Sequence, residues 1–304
     1  MTAPRVMYQG RWTPWFYVLP TLLVIGIFIL YPVVNTAALS LSDRRGDRSA
    51  GVECAQDAPC WGALENYRYA LTSDEMTRAL GNNALWLALM VPATVGMGLL
   101  AAVLADRVRY ESLVKSIIFM PMAISFIGAG VIWQFVYHIE AGSGAQIGLL
   151  NAGLVAAGQP PVPWLSTSGL ANLALMVVGL WLWAGFCMTI LSAALKGLPV
   201  EVLEASRVDG ASEWQVFRHI MLPMISPTVT VVTTTLFIIV LKIFDIVFVM
   251  TNGNFGTEVI ANRMFNLIVT HVGRSTAIAV LLLGMTVPVM IFNVRRFREQ
   301  EEMR

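Results

Sequence analysis

The side chains able to do chemistry are few and scattered. His138, His219 and His271 lie far apart and show no metal-ligand spacing. Cys54 and Cys60 share one polar loop, whereas Cys187 sits in an apolar run, and neither a CxxC pair nor a His/Cys cluster occurs. No metal centre is implied. The chain has no GxxxxGK[ST] loop to cradle nucleotide phosphates and no HExxH to hold zinc beside a base. No Ser-His-Asp arrangement can be argued from residues this dispersed, so the chain reads as non-enzymatic by itself. A net charge of +1, without basic stripes interleaved with aromatics, argues against a nucleic-acid partner. Two polar groups remain. Lys242 and Asp245 stand three apart in an apolar run, which would put them on one helical face, able to pair. With Asn252 and Asn254 just beyond, they are candidates for lining a translocation pathway; a structural ion pair is the competing reading. The second group is the charged stretch EASRVDGASEWQVFRHIMLPMISP, residues 204–227.

The elements that must hold these groups are oily. The 304 residues are 57% hydrophobic and 13% charged, with mean hydropathy +0.68. Soluble domains carry about 25% charged residues, so too little charge is present for a wet surface. An all-α polytopic membrane protein is expected. Six runs are long enough to span: residues 15–34, 80–105, 116–137, 170–191, 224–250 and 276–292. Backbone groups in lipid must bond internally, so each should be helical. The first run carries Pro20 and leaves through Tyr31-Pro32 with no small-residue cleavage pattern, so it is expected to stay as a membrane helix. Asn82 and Asn83 are expected to open the second helix as caps, or else to bond across helices. Pro92 and Pro121 should bend their helices. Gly96, Gly98, Gly128 and Gly130 should allow close helix contact. Tryptophans near span ends, Trp181 and Trp183 among them, read as interface anchors before any stacking role.

Lysine and arginine in short segments set the orientation. Arg5 and Arg11, then Arg107, Arg109 and Lys115, then Arg295, Arg296 and Arg298 fall on one side if six helices alternate. That side should be the cytoplasm, with both termini on it. Loop 42–78 and the loops around 138–169 and 251–274 fall outside. The first of these, counted from Leu41, carries five arginines and departs from the rule. If it faces an oxidising compartment, Cys54 and Cys60 can close a short disulfide loop; two unpaired thiols are the alternative. Residues 193–223 are assigned to the cytoplasmic side by alternation alone.

Within that connector, Pro199 can start a short helix, Gly210 can turn the chain, and Ser212 or Asp209 can cap a second piece that Pro223 ends. Apolar residues rimmed by Glu204, Arg207, Asp209, Glu213 and Arg218 make a docking knob. The stretch resembles the EAA loop of permease subunits of binding-protein-dependent ABC importers. The match falls at Glu204, Ala205, Asp209, Gly210, Ala211, Phe217, Ile220, Leu222, Pro223 and Pro227, with Ser206 standing where the family has alanine. FYVLPTLLVIGIFILYPVVNTAALSL and SIIFMPMAISFIGAGVIWQFVY resemble helices of the sugar-importer permeases. TTTLFIIVLKIFDIVFVMTNGNFGTEVIANRMF resembles the alpha-glucoside and glucosylglycerol permeases.

The resemblance implies a single transmembrane permease domain, 1–304, of the type I importer fold, in a bacterial inner membrane. It implies a related second permease, two ATP-binding subunits and an extracytoplasmic solute-binding protein as partners. ATP and magnesium would belong to the ATPase subunits and no cofactor to this chain. Glu204, Ala205, Asp209, Gly210, Ala211, Phe217, Leu222 and Pro223 would seat the loop in the ATPase and couple it to alternating access. A secondary transporter working without an ATPase is the alternative; it would show inverted repeats and more ionisable residues in the membrane.

Overall fold

The computed structural model describes residues 13–42, 63–140 and 146–302. Cys54 and Cys60, with the expected disulfide, lie outside them. The first apolar run forms Thr13–Ile25 (α1), a π-helical turn at Gly26–Leu30 and Tyr31–Ser40 (α2). Ala63–Thr72 (α3) and Asp74–Ala105 (α4) follow, then Glu111–Phe119 (α5), a 3-10 turn at Met120–Ala123 and Phe126–Val136 (α6). Leu149–Ala156 (α7) precedes Leu170–Lys196 (α8). Val200–Val208 (α9) and Glu213–Val216 (α10) lead through a π turn at Phe217–Met221 into Leu222–Leu241 (α11). Asp245–Met250 (α12), Ile260–Leu267 (α13) and Val272–Glu302 (α14) complete the chain. Five helices are long and apolar enough to cross a membrane, and six if the bent pair α5–α6 counts as one span. The regular elements among the described residues are all helical, as expected.

Prolines mark three of the places where these helices change geometry. A proline has no N–H for the carbonyl four residues back, and its ring crowds that carbonyl. Ahead of Pro32 and Pro223 the helix widens by one residue, so that Tyr31 N–H reaches Gly26 O and Leu222 N–H reaches Phe217 O. The sequence reading ended a piece at Pro223; instead Glu213–Leu241 forms one continuous span-length helix. Pro121 acts more strongly than a bend. It lies in the 3-10 turn, Ser125 caps α6 by accepting from Gly128 N–H at 3.1 Å, and the two halves of the third span meet at 102°.

The core lies between α4 and α8, where missing side chains let backbones touch. A Cβ on Gly98 would sit 2.3 Å from Cys187 Cβ, and one on Gly179 would sit 2.5 Å from Met90 Cε. Fully buried Trp86, Leu182, Met188 and Leu191 fill the interface, and α11 packs on both helices. Gly130 faces Val249, so α6 packs on α12, and Gln134 Nε2 donates to Val249 O at 2.7 Å. Trp133, Trp164, Trp181 and Trp183 pack against this core, Trp133 edge-on to Trp181 at 5.7 Å and Trp183 stacked on Phe126 at 5.8 Å. They are packed partners of the bundle more than free anchors.

Asn82 and Asn83 do not open the second helix. Ser73 caps it, accepting from Met76 N–H at 3.3 Å, and the helix begins at Asp74. The alternation of ends holds. Arg107 reaches Glu213 at one end, while Tyr69 and Glu75 meet Arg263 at the other.

Candidate coupling site

The connector after α8 folds into a bent pair of short helices. Pro199 stands at the N-cap of α9 and supplies a fixed φ of −59°. The helix ends on Gly210, φ +83°, a left-handed conformation that costs glycine nothing. Gly210 N–H donates to Arg207 O at 3.1 Å and Ala211 N–H to Ser206 O at 3.1 Å, the paired bonds of a Schellman stop. Ser212 then caps α10 in a reciprocal box with Gln215, so of the two expected caps it is Ser212 that acts. Ser206 is buried, and its hydroxyl donates to Leu203 O at 2.8 Å, so it replaces alanine without stranding a polar atom.

Glu213 ties the bend. Its Oε1 accepts from Arg207 Nε at 2.9 Å, closing α9 on α10. Its Oε2 meets Arg107 Nη2 at 3.4 Å, joining the loop to the connector after α4. The carboxylate beside Arg207 holds that guanidinium above its usual pKa, so the pair stays charged. Glu204, Ala205, Asp209 and Gly210 are exposed on the knob, together with Val202, Val208 and Trp214. Ala211, Phe217 and Leu222 are half-buried, Pro223 is exposed, and Trp214 and Phe217 pack ring on ring at 5.7 Å. The structure therefore gathers these residues on one protruding element. A carboxylate and large apolar side chains stand exposed on a backbone fixed by two caps and an ion pair.

The pathway candidates are not gathered in the same way. The helix expected to carry Lys242 and Asp245 breaks between them: α11 ends at Leu241, Lys242 is its C-cap, and Asp245 opens α12. They do not share a helical face, and no ion pair joins them among the described residues. Asn252, at φ +49°, and Asn254 lie in the turn after α12. Asn254 Nδ2 donates to Thr251 O at 2.9 Å, and Asn252 Oδ1 accepts from Asn266 Nδ2 at 3.4 Å, so both shape that turn.

What holds the break is the asparagine pair, which bonds across helices, the second of the two roles its sequence position allows, and does not cap α4. Asn83 Nδ2 donates to Leu241 O at 3.0 Å, and its Oδ1 accepts from Ile260 N–H at 2.9 Å. One side chain closes the carbonyl end of α11 and the amide end of α13. Asn82 Nδ2 donates to Gly256 O and Glu258 O at 2.8 and 2.7 Å. Asn172 bonds Asn82 and Gly256, and Trp86 Nε1 donates to Asn172 Oδ1 at 3.2 Å. Asparagine inside a long apolar run was the available signal.

Known proteins are similar to this chain over most of its length, in sequence and in fold. The family described as binding-protein-dependent transport system inner membrane component matches residues 94–296. The chain belongs to this family. An osmoprotective compounds uptake permease protein of Synechocystis sp. (strain ATCC 27184 / PCC 6803 / Kazusa) is 50% identical over 292 residues, covering 95% of this permease and 100% of the relative. An alpha-glucoside transport system permease protein of Rhizobium meliloti (strain 1021) is 44% identical over 286 residues, 93% of this permease and 81% of the relative. A crystal structure of a bacterial ABC transporter involved in the import of the acidic polysaccharide alginate superposes with TM-score 0.74 at 21% identity, covering 93% and 96% of the two chains. That likeness concerns the fold of the permease.

Proposed function

We propose that this permease is the membrane half of an ATP-driven importer for a small sugar of the alpha-glucoside class, working by alternating access. The observation that carries the reading is the capped, ion-paired knob at residues 197–213, which presents Glu204 and apolar side chains on a rigid backbone. In the proposed complex, Glu204, Ala205, Asp209, Gly210 and Ala211 seat in an ATP-binding subunit, and Phe217, Leu222 and Pro223 carry the movement into α11. Two such subunits hold ATP and magnesium. A related second permease completes the pathway, and an extracytoplasmic solute-binding protein delivers the sugar. The chain lies in a bacterial cytoplasmic membrane with both termini inside. The sugar class is supported by the 44% identity to the alpha-glucoside transport system permease protein. Lys242, Asp245, Asn252 and Asn254 are proposed to line or border the route. Binding of ATP favours one arrangement of the bundle and its hydrolysis restores the other, a population shift between two packings.

The test is uptake into proteoliposomes holding the whole importer, with labelled maltose, trehalose, sucrose and glucosylglycerol as probes. Uptake of at least one probe is expected only with ATP and the binding protein. Glu204→Ala should weaken retention of the ATP-binding subunits at least about tenfold, equivalent to ~1.4 kcal/mol of docking, while membrane insertion survives. Uptake driven without ATP, or full retention in Glu204→Ala, would overturn the reading.

A further inference from the structure

Three span ends meet in one knot of side chains beside this loop. Asp106 follows the last turn of α4, Glu111 and Lys115 lie at the start of α5, and Ser192 and Lys196 at the end of α8. Lys115 Nζ donates to Asp106 Oδ1 at 2.5 Å, to Glu111 Oε1 at 2.6 Å and to Ser192 Oγ. Ser192 Oγ donates in turn to Asp106 Oδ1 at 2.9 Å, and Lys196 pairs with Glu111. An ammonium has three donors and no acceptor, so Lys115 is saturated and offers no lone pair to activate the Ser192 hydroxyl. The knot is therefore mechanical and not a nucleophile with its base.

Its burial sets it apart from ordinary surface pairs. Ser192 is 3% exposed, and the side chains of Lys115 and Asp106 are 20% and 21% exposed. Surface ion pairs contribute little, whereas removing one partner of a shielded pair leaves a charge stranded. A second attachment lies further along the same two helices. A Cβ on Gly185 would sit 2.5 Å from Ile118 O, so α8 rests directly on the α5 backbone. The position in the chain matters equally. Only Gly197, Leu198 and Pro199 separate Lys196 from α9, so any displacement of α9 reaches the knot first. The neighbour of Asp106, Arg107, holds Glu213 on the other arm of the loop.

We infer that Lys115, with Asp106, Glu111, Ser192 and Lys196, is a yoke that makes the second, third and fourth spans move as one body when the coupling loop is displaced. The inference rests on the coupling role proposed above. Lys115 is a positioning residue in this scheme and touches neither sugar nor nucleotide.

The experiment uses the whole reconstituted importer carrying spin labels in pairs at the exposed positions Leu104, Leu113 and Ala193. Distances are read without nucleotide and with ATP trapped by vanadate. Wild type and Lys115→Arg should each keep one narrow Leu113–Ala193 distance in both states. Lys115→Met should show that distance shifting on trapping by on the order of a helical turn, about 5 Å. Ser192→Ala, which strands no charge, should shift it in the same sense by less, and it decides the question if Lys115→Met fails to insert. A lower unfolding temperature alone would not produce a nucleotide-dependent distance, and rescue by arginine separates charge from bulk. An unchanged distance in Lys115→Met or Ser192→Ala, or a wild-type distance that itself shifts, overturns the yoke. Retention of the ATP-binding subunits is scored on the same samples. Their absence from wild type would refute docking instead.

Discussion

Asn83 does with one amide what two helix caps do elsewhere. Replacing it by leucine strands Leu241 O and Ile260 N–H in a buried place, at about 1–3 kcal/mol for each unsatisfied group. Asn83→Leu should therefore lower the unfolding temperature of the purified complex far more than substitution of an exposed neighbour. Glu258, beneath the same loop, offers a pH test. Burial pushes its carboxyl above the ordinary 4.5, against the smaller pull of bonds from Asn262 and the Val259 N–H. A carboxyl with a raised folded-state pKa is best tolerated protonated. Its contribution is whole below 4.5 and is lost as pH rises through the raised value. As pH rises from 4.5 the wild type should lose stability more steeply than Glu258→Gln; equal slopes would refute this. At this scale the sequence was legible where a residue acts on its own backbone, as Ser212 and Gly210 do. It was not legible where partners come from far away. The Asn83–Leu241 bond joins residues 158 apart, and nothing local distinguishes it from a cap.

Elements were read well in number and poorly in continuity. Apolar length located the spans, because lipid leaves the backbone no other partner. Length says nothing about breaks, and both broken spans were read as single helices. Lys242 and Asp245 belong to a chain that leaves helical geometry between them, so their spacing lost its meaning. Pro121 marked one break in advance, but no proline marks the other, which rests on Asn83 and the turn after α12. The bend of the coupling loop was legible because glycine and serine each do there what their own chemistry favours. Gly210→Ala places a Cβ on a φ of +83° and should cost about 1–2 kcal/mol of local stability. Trypsin should then cut after Arg207 faster than in wild type, without loss of the spans. Cleavage at the wild-type rate would show that the stop tolerates a side chain.

Across the whole molecule, two polar clusters occupy opposite ends of an apolar bundle. Alternation of the spans put the connectors around Arg107 and Glu213 at one end and those around Glu75 and Arg263 at the other, as their contacts show. The knot around Lys115 was invisible to it, since its five members come from three segments and all but the local Glu111–Lys115 pair form only after α4, α5 and α8 have packed. Distance makes a prediction here. Lys115→Met and Asn83→Leu share no partner, so their effects on unfolding free energy should add within about 0.5 kcal/mol. A larger departure would mean that the bundle transmits strain along its full length even without nucleotide.

The widened turn ahead of Pro223 has a consequence for azimuth. Each helical residue advances the chain by about 100° around the axis. The extra residue between Phe217 and Met221 therefore rotates everything before it relative to α11 by roughly that angle. Glu213, which reaches Arg107, lies on the rotated side of the turn. Deleting Ile220 would restore ordinary winding and leave composition almost untouched, yet it would swing Glu213 and Trp214 by about a quarter-turn around the axis of α11. The direction in which the knob faces is set by one surplus residue in the turn that follows it.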